Sequence, residues 1–304
     1  MHARIDLYPT REETESVRDR IDPVVFEEKV RQSPFGLEPE EVGFYEENGF
    51  LTLPEVFSPD ETDLFRKELS NLKNLPELQG REELVREPDS NVVRSIFSQH
   101  RFSKVFDDLS RDPRILDKVT QLLGSGAYIH HARINVKAPY YGKSFYWHSD
   151  FETWHAEDGI PRCRVVTGWL MLTENNEFNG PLYLIPKSHK RFVSCAGKTP
   201  EAHHKKSLRK QEYGVPSPET IRKLVEEGGA HRLLRRAGHV DVPRREHHAC
   251  LPRQRIALAA NQPDVRLQQR GKHPRGQTLR RRNAPAGISA RHRFHATIVG
   301  SLSD

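Results

Sequence analysis

Of the 14 Phe, 8 Tyr and 3 Trp in this chain, Phe294 alone lies beyond residue 230. The charge breaks at the same place. Residues 231–304 hold 15 Arg and one Lys against Asp241, Glu246, Asp264 and Asp304, a net of +12, whereas the first 230 residues carry −6. A packed core needs apolar and aromatic side chains in a periodic pattern, and only the first part has them. The expectation is a folded region over 1–230 and a basic, poorly ordered tail over 231–304.

Whole-chain properties narrow the class. At 304 residues and a mean hydropathy of −0.75, the chain has no apolar run near the ~20 residues a membrane helix needs. The first residues, Met1 to Glu13, lack the apolar stretch of a secretory signal. Cys163, Cys195 and Cys250 are too few and too scattered for a disulfide framework or a zinc ribbon. A soluble, cytoplasmic protein is expected, with no membrane partner.

Up to about residue 50 the chain is polar and reads as an arm with short helical pieces. Asn48-Gly49 then marks a turn before a short alternating strand, Phe50 to Leu53. Ser58-Pro59-Asp60-Glu61 opens a helix with a hydroxyl cap, Pro at the first position and Glu completing a capping box. Asp112-Pro113 opens a second, with Ile115, Leu116, Val119, Leu122 and Leu123 at helical spacing and Gly124 as the stop. Beyond it the period switches: residues 127–137, 165–173 and 182–185 read as strands. Helices first and strands after predict an α+β, mainly antiparallel sheet or barrel. There is no internal repeat and no phosphate-binding glycine loop.

The densest chemistry is Phe145-Tyr146-Trp147-His148-Ser149-Asp150-Phe151-Glu152-Thr153-Trp154-His155, followed by Glu157-Asp158-Gly159. His148 and Asp150 form an H-x-D pair. On a strand, alternate residues share a face, so an imidazole and a carboxylate can grip one metal ion. Two His and one carboxylate on one face of an octahedral iron are the ligand set of non-haem Fe(II) oxygenases, and a distant His must complete it. With 16 His in the chain, an H-x-D pair alone also arises by chance. His155 reads equally as a surface residue or an outer partner of the site, and Phe145, Tyr146 and Trp147 as barrel core.

The longer string resembles the signature of the ectoine hydroxylases, a branch of the phytanoyl-CoA dioxygenase group of Fe(II)/2-oxoglutarate oxygenases. The resemblance extends through Thr173 to Leu182, Ile185-Pro186-Lys187-Ser188-His189-Lys190, Val93 to Phe97 and Lys210 to Pro216, about residues 5–230 in all. It implies a double-stranded β-helix, a cupin-like jelly-roll core flanked by helices. It also implies conversion of ectoine to 5-hydroxyectoine with O2 and 2-oxoglutarate consumed. His148 and Asp150 match two iron ligands, Lys137 the lysine associated with 2-oxoglutarate, and Thr153 and Trp154 residues lining the ectoine site. A Trp face suits the cationic amidine of ectoine, and an ammonium suits a dicarboxylate. At His131 the family usually has Gln contacting ectoine; an imidazole lacks the paired donor and acceptor of an amide.

After Glu226-Glu227-Gly228-Gly229 the resemblance implies the second half of the barrel, with an F-F-D-x-N-T-M-H stretch carrying the third ligand and then an Arg for 2-oxoglutarate. Neither is found in the tail. Residues 242–250 can be back-translated so that the adjacent frame reads F-L-D-A-N-T-M-H, and residues 262–273 so that the same frame reads N-P-T-S-V-F-N-S-V-E-N-T. This suggests a reading-frame change near residue 230. His247 and His248, 97 and 98 residues after Asp150, are the positional candidates for the third ligand, without the strand and supporting contacts a ligand needs.

Three readings follow: an ectoine hydroxylase, the same lineage with this chain catalytically inactive, and a basic-tailed binding protein on a reused scaffold. A related oxygenase with another small substrate is the alternative within the first. The last would bind nucleic acid through Arg-rich runs such as Leu279 to Asn283, but the tail lacks aromatics for base stacking. A homodimer is left open by the sequence.

Overall fold

The computed structural model describes residues 5–26, 33–87, 91–136, 147–174, 182–197, 214–233, 236–243, 249–250 and 255–260. Strand β1 (Ser16–Asp19) is followed by α1 (Pro39–Asn48), β2 (Phe50–Leu53) and α2 (Pro59–Asn74). Next come β3 (Leu84–Arg86), β4 (Val93–Phe97), α3 (Lys104–Leu109), α4 (Pro113–Leu123) and β5 (Ala127–Asn135). Strand β6 (Trp147–His148) runs into α5 (Asp150–Asp158), then β7 (Val165–Thr167), β8 (Trp169–Leu170), β9 (Leu182–Leu184) and β10 (Arg191–Ser194). Helix α6 (Pro218–Gly228) precedes β11 (His231–Leu233), β12 (Val240–Pro243), β13 (Ala249–Cys250) and β14 (Arg255–Ala260).

The helix starts are where their side chains dictate. Ser58 Oγ accepts from the Glu61 N–H at 3.2 Å while Glu61 Oε2 accepts from the Ser58 N–H at 2.8 Å, closing the capping box of α2. Asp112 caps α4 through the Arg114 N–H at 2.9 Å, and Gly124 ends it with a φ of 60°.

The paired strands among the described residues are antiparallel and form four open sheets rather than one closed barrel. The largest has the order β3-β4-β5-β14-β7, and a second the order β11-β9-β13-β6. Helices α2, α3 and α4 cover one face of the larger sheet. Leu69, Phe106, Val119 and Leu122 belong to one core with Ile96, Ile134 and Val166 of β4, β5 and β7. Because strand side chains alternate, His131, Arg133 and Asn135 point away from the face that takes Ala132 and Ile134. No described helix is long and apolar enough to cross a membrane.

Regular structure runs past the compositional break. Strand β11 pairs with β9, and β12 lies between β2 and β8 with Val240 and Asp241 fully buried. Asp241 accepts from Thr52 Oγ1 at 2.6 Å.

The end of α6 is tightly seated. A Cβ on Gly228 would lie 1.9 Å from the carbonyl oxygen of Pro186, a backbone atom that cannot swing aside. Gly228→Ala is therefore expected to cost about 1–3 kcal/mol, as overpacking does, read as a lowered denaturant midpoint at unchanged slope.

Candidate metal centre

The chain turns from strand to helix at Ser149, which has extended dihedrals (φ −98°, ψ 129°) and caps α5. His148 is the last residue of β6 and Asp150 the first of α5. The pair does not ride on one strand face, as alternation had suggested; the helix start folds the carboxylate back toward the imidazole. His148 Nε2 and Asp150 Oδ1 lie 3.3 Å apart, with the side chains 4% and 11% exposed. Neighbouring ligands of one six-coordinate ion with bonds of about 2.1 Å sit roughly 3 Å apart, so the pair fits two adjacent positions on a metal. Asp150 also lies in the first turn of α5, where the helix dipole favours a carboxylate.

Among the described residues no group of three or more His, Cys, Asp or Glu converges to hold a metal. His247 and His248 lie outside the described residues, directly ahead of β13, whose Ala249 pairs with His148. Lys137 also lies outside them.

On the helix that Asp150 begins, Trp154 forms an aromatic cluster between α5 and β5. The register of β5 on β14 skips His130, because Ala257 pairs with His131 and Leu258 with Ile129. Such a bulge re-aims side chains, and both histidines come to Trp154. The ring centroid of Trp154 is 4.7 Å from that of His130 and 5.7 Å from that of His131. His131 also lies 5.4 Å from Phe97. Trp154 is 7% exposed. Thr153 is one residue away, its hydroxyl donating to the Ser149 carbonyl at 3.4 Å. The structure thus brings His131 to Trp154 and sets Thr153 and Trp154 on the helix that begins at Asp150.

Three residues near the site escaped it. Arg133 lies two residues from His131 on β5, its guanidinium 5.5 Å from the Phe97 ring. Burial, with Arg94 adding like charge, lowers its pKa to about 10. Glu152 is wholly buried and accepts from Arg11 Nε at 2.6 Å and Nη2 at 3.0 Å. An Arg in a polar arm carries no local signal of burial. A strand alternation that sends Ala132 and Ile134 into the core does imply that Arg133 shares the face of His131.

His155 donates its Nδ1–H to the Ile160 carbonyl at 2.6 Å, while Nε2 lies 3.1 Å from Asp6. It joins α5 to the residues ahead of β1 rather than to the metal pair.

The buried His–Asp pair lies among antiparallel sheets flanked by helices, and the solved structures this chain matches give it the fold of the cupin-like Fe(II)/2-oxoglutarate oxygenases. Residues 45–239 match the Phytanoyl-CoA dioxygenase (PhyH) family. Ectoine dioxygenase of Bordetella bronchiseptica is 45% identical over 236 residues, covering 77% of this chain and 76% of that protein. Ectoine dioxygenase of Stutzerimonas stutzeri is 42% identical over 236 residues, covering 77% and 78%. The crystal structure of EctD from S. alaskensis with 2-oxoglutarate and 5-hydroxyectoine superposes with a TM-score of 0.74 at 31% identity, covering 98% of this chain and 99% of that one. The chain belongs to the phytanoyl-CoA dioxygenase family and, within it, to the ectoine dioxygenases.

Proposed function

We propose that the site is built for the Fe(II)- and 2-oxoglutarate-dependent conversion of ectoine to 5-hydroxyectoine. The observation that carries the reading is the His148–Asp150 pair at 3.3 Å, its Asp150 on the helix that also carries Trp154, in a chain this similar to EctD with 2-oxoglutarate and 5-hydroxyectoine. Iron bound by His148 and Asp150 supplies the activation of O2 that 2-oxoglutarate oxidation couples to hydroxylation. The chain's own residues do the rest. Trp154 offers its ring face to the delocalised amidine cation of ectoine and orients it. His131 supplies one hydrogen bond, and Lys137 a cation for the dicarboxylate. Burial of His148 and Trp154 keeps water from the reacting carbon.

The finer architecture belongs to the same reading. The sheets belong to a jelly roll, and a frame change beyond the matched residues 45–239 gives the chain a non-homologous tail in place of the rest of its second half. That removes the third ligand and the 2-oxoglutarate-binding Arg, and it leaves the chain as written without turnover. Nucleic acid has no part in this reading.

The test is stoichiometric. In the frame-restored protein, ectoine-dependent loss of 2-oxoglutarate should match formation of 5-hydroxyectoine one to one. Trp154→Leu should raise the KM for ectoine by about 10- to 30-fold, the worth of a desolvated cation–π contact of ~2 kcal/mol. An unchanged KM overturns the placement of ectoine on Trp154. His131 favours a second reading, the same reaction on another small substrate, because an imidazole replaces the amide that the family uses. Ectoine-independent substrate oxidation would establish that alternative.

A further inference from the structure

The residues ahead of β1 close on the metal-bearing helix. Tyr8 is fully buried, its ring 4.9 Å from that of Phe151 and 5.0 Å from that of Phe192. Thr10 Oγ1 donates to Glu152 Oε1 at 2.7 Å and accepts from the Cys195 N–H at 3.1 Å. Arg11 meets Glu152 with two donors, at 2.6 and 3.0 Å, and reaches Glu157 further along α5 at 3.5 Å. The ion pair is buried, its side chains 7% and 0% exposed.

Two independent features mark the contact as specified by the sequence. Arg11 has a φ of 60°, a left-handed conformation that side chains other than glycine's disfavour. It is held there by its N–H bond to the Cys195 carbonyl at 2.9 Å and by the fork to Glu152. Strain of this kind persists where surrounding contacts over-determine it, and it concentrates at functional sites. The other feature is Gly214, where a Cβ would lie 2.4 Å from Arg11 Nη2 and 2.6 Å from Glu152 Oε2. Its φ of +68° also favours glycine. Residues 10–11, 152 and 214 therefore converge on one carboxylate from three distant parts of the chain.

That carboxylate is two residues from Asp150, in the same first turn of α5. The Ser149 cap also holds this turn's backbone, through a long bond of 3.4 Å from the Glu152 N–H. Fixing Glu152 fixes the rotation of the turn, and the rotation sets where the Asp150 carboxylate meets His148. We propose that Arg11 and Thr10 are positioning residues for the metal centre, acting through Glu152; this rests on the assignment of His148 and Asp150 as ligands. The matched family region begins at residue 45, so it leaves this arm out.

The test uses the full chain, with hydrogen exchange read by mass spectrometry and Co(II) affinity read by visible absorption. In Arg11→Gln, peptides spanning 147–158 should exchange about tenfold faster while those of α2 and α4 stay unchanged. Co(II) should bind about tenfold more weakly, in the range seen for contacts that orient ligands. Arg11→Lys should recover part of both, because it restores the charge without the fork. Thr10→Val, a milder change, should move both readouts in the same direction. A uniform rise in exchange throughout the protein, or Co(II) binding identical in parent and variants (none in either included), overturns the proposal. Exchange is read without metal or substrate, so a frame-restored chain that fails to hydroxylate ectoine counts against the functional reading and not against this one.

Discussion

Restoring the reading frame across the codons for residues 220–260 is expected to turn a chain without ectoine-dependent 2-oxoglutarate consumption into an active hydroxylase. The described residues bring together His148 and Asp150 but no third ligand. Two ligands hold a metal far less firmly than three, and the electrostatic help a bound ion supplies is several kcal/mol, so the rise should be roughly a thousandfold or more. Resequencing that stretch of the gene tests the premise directly, with one base gained or lost as the expected result. Equal activity of the written and restored chains would show that the tail supplies the missing ligand after all, with His247 and His248 the first residues to substitute.

Asp22→Asn is expected to be the most damaging single change to stability outside the hydrophobic core. The Asp22 carboxylate is buried and accepts from Tyr8 Oη at 2.9 Å, the Cys163 N–H at 2.8 Å and Arg162 Nε at 2.7 Å. Donors approach both oxygens, so either orientation of a carboxamide turns an N–H toward another donor. Breaking a buried pair costs about 3–5 kcal/mol; with Arg162 partly exposed the lower end, about 3 kcal/mol, is expected, or roughly 6–12 °C in Tm. Burial alone would raise the Asp22 pKa, but the bonds from Arg162, Tyr8 and Cys163 outweigh it and leave the pKa below the ordinary carboxylate value. A depressed carboxylate contributes stability above its unfolded pKa and loses it as pH falls through the folded one. The parent chain should therefore lose this contribution only below about pH 4, and Asp22→Asn should flatten that part of the acid unfolding curve. An unchanged acid limb would show that another carboxylate controls it.

What the sequence disclosed depended on whether the signal was local. Capping chemistry located α2 and α4 to the residue, because Ser58, Glu61, Asp112 and Gly124 act within one turn. Strand alternation located β2, β5 and β9, since one face of each is buried. The His148–Asp150 pair was legible as residue types, but its geometry was not: the strand ends at His148, and a helix cap decides where Asp150 points. The arm was read as polar with helical pieces, yet it contains β1 and the buried Tyr8 and Arg11. Phe151, Phe192, Glu152 and β10, which they pack against or bond, lie more than a hundred residues away, and no window of local sequence holds both sides of such a contact. The same limit applies to β11 and β12, whose pairing with β9 and β2 shows nowhere in their Arg-rich composition.

Strand β1 pairs with β10 in a register that sets Ser16 opposite Ser194. A ribosome adding roughly 5–20 residues per second needs about 10–35 s to make the intervening segment. During that time β1 has no β10 to pair with, and Tyr8 lacks Phe192. The arm can dock only after β10 has emerged, which makes its closure a late, long-range step. Helix α5, which starts at Asp150, is also made before β10, so during biosynthesis its contact with the arm is completed only when β10 is in place.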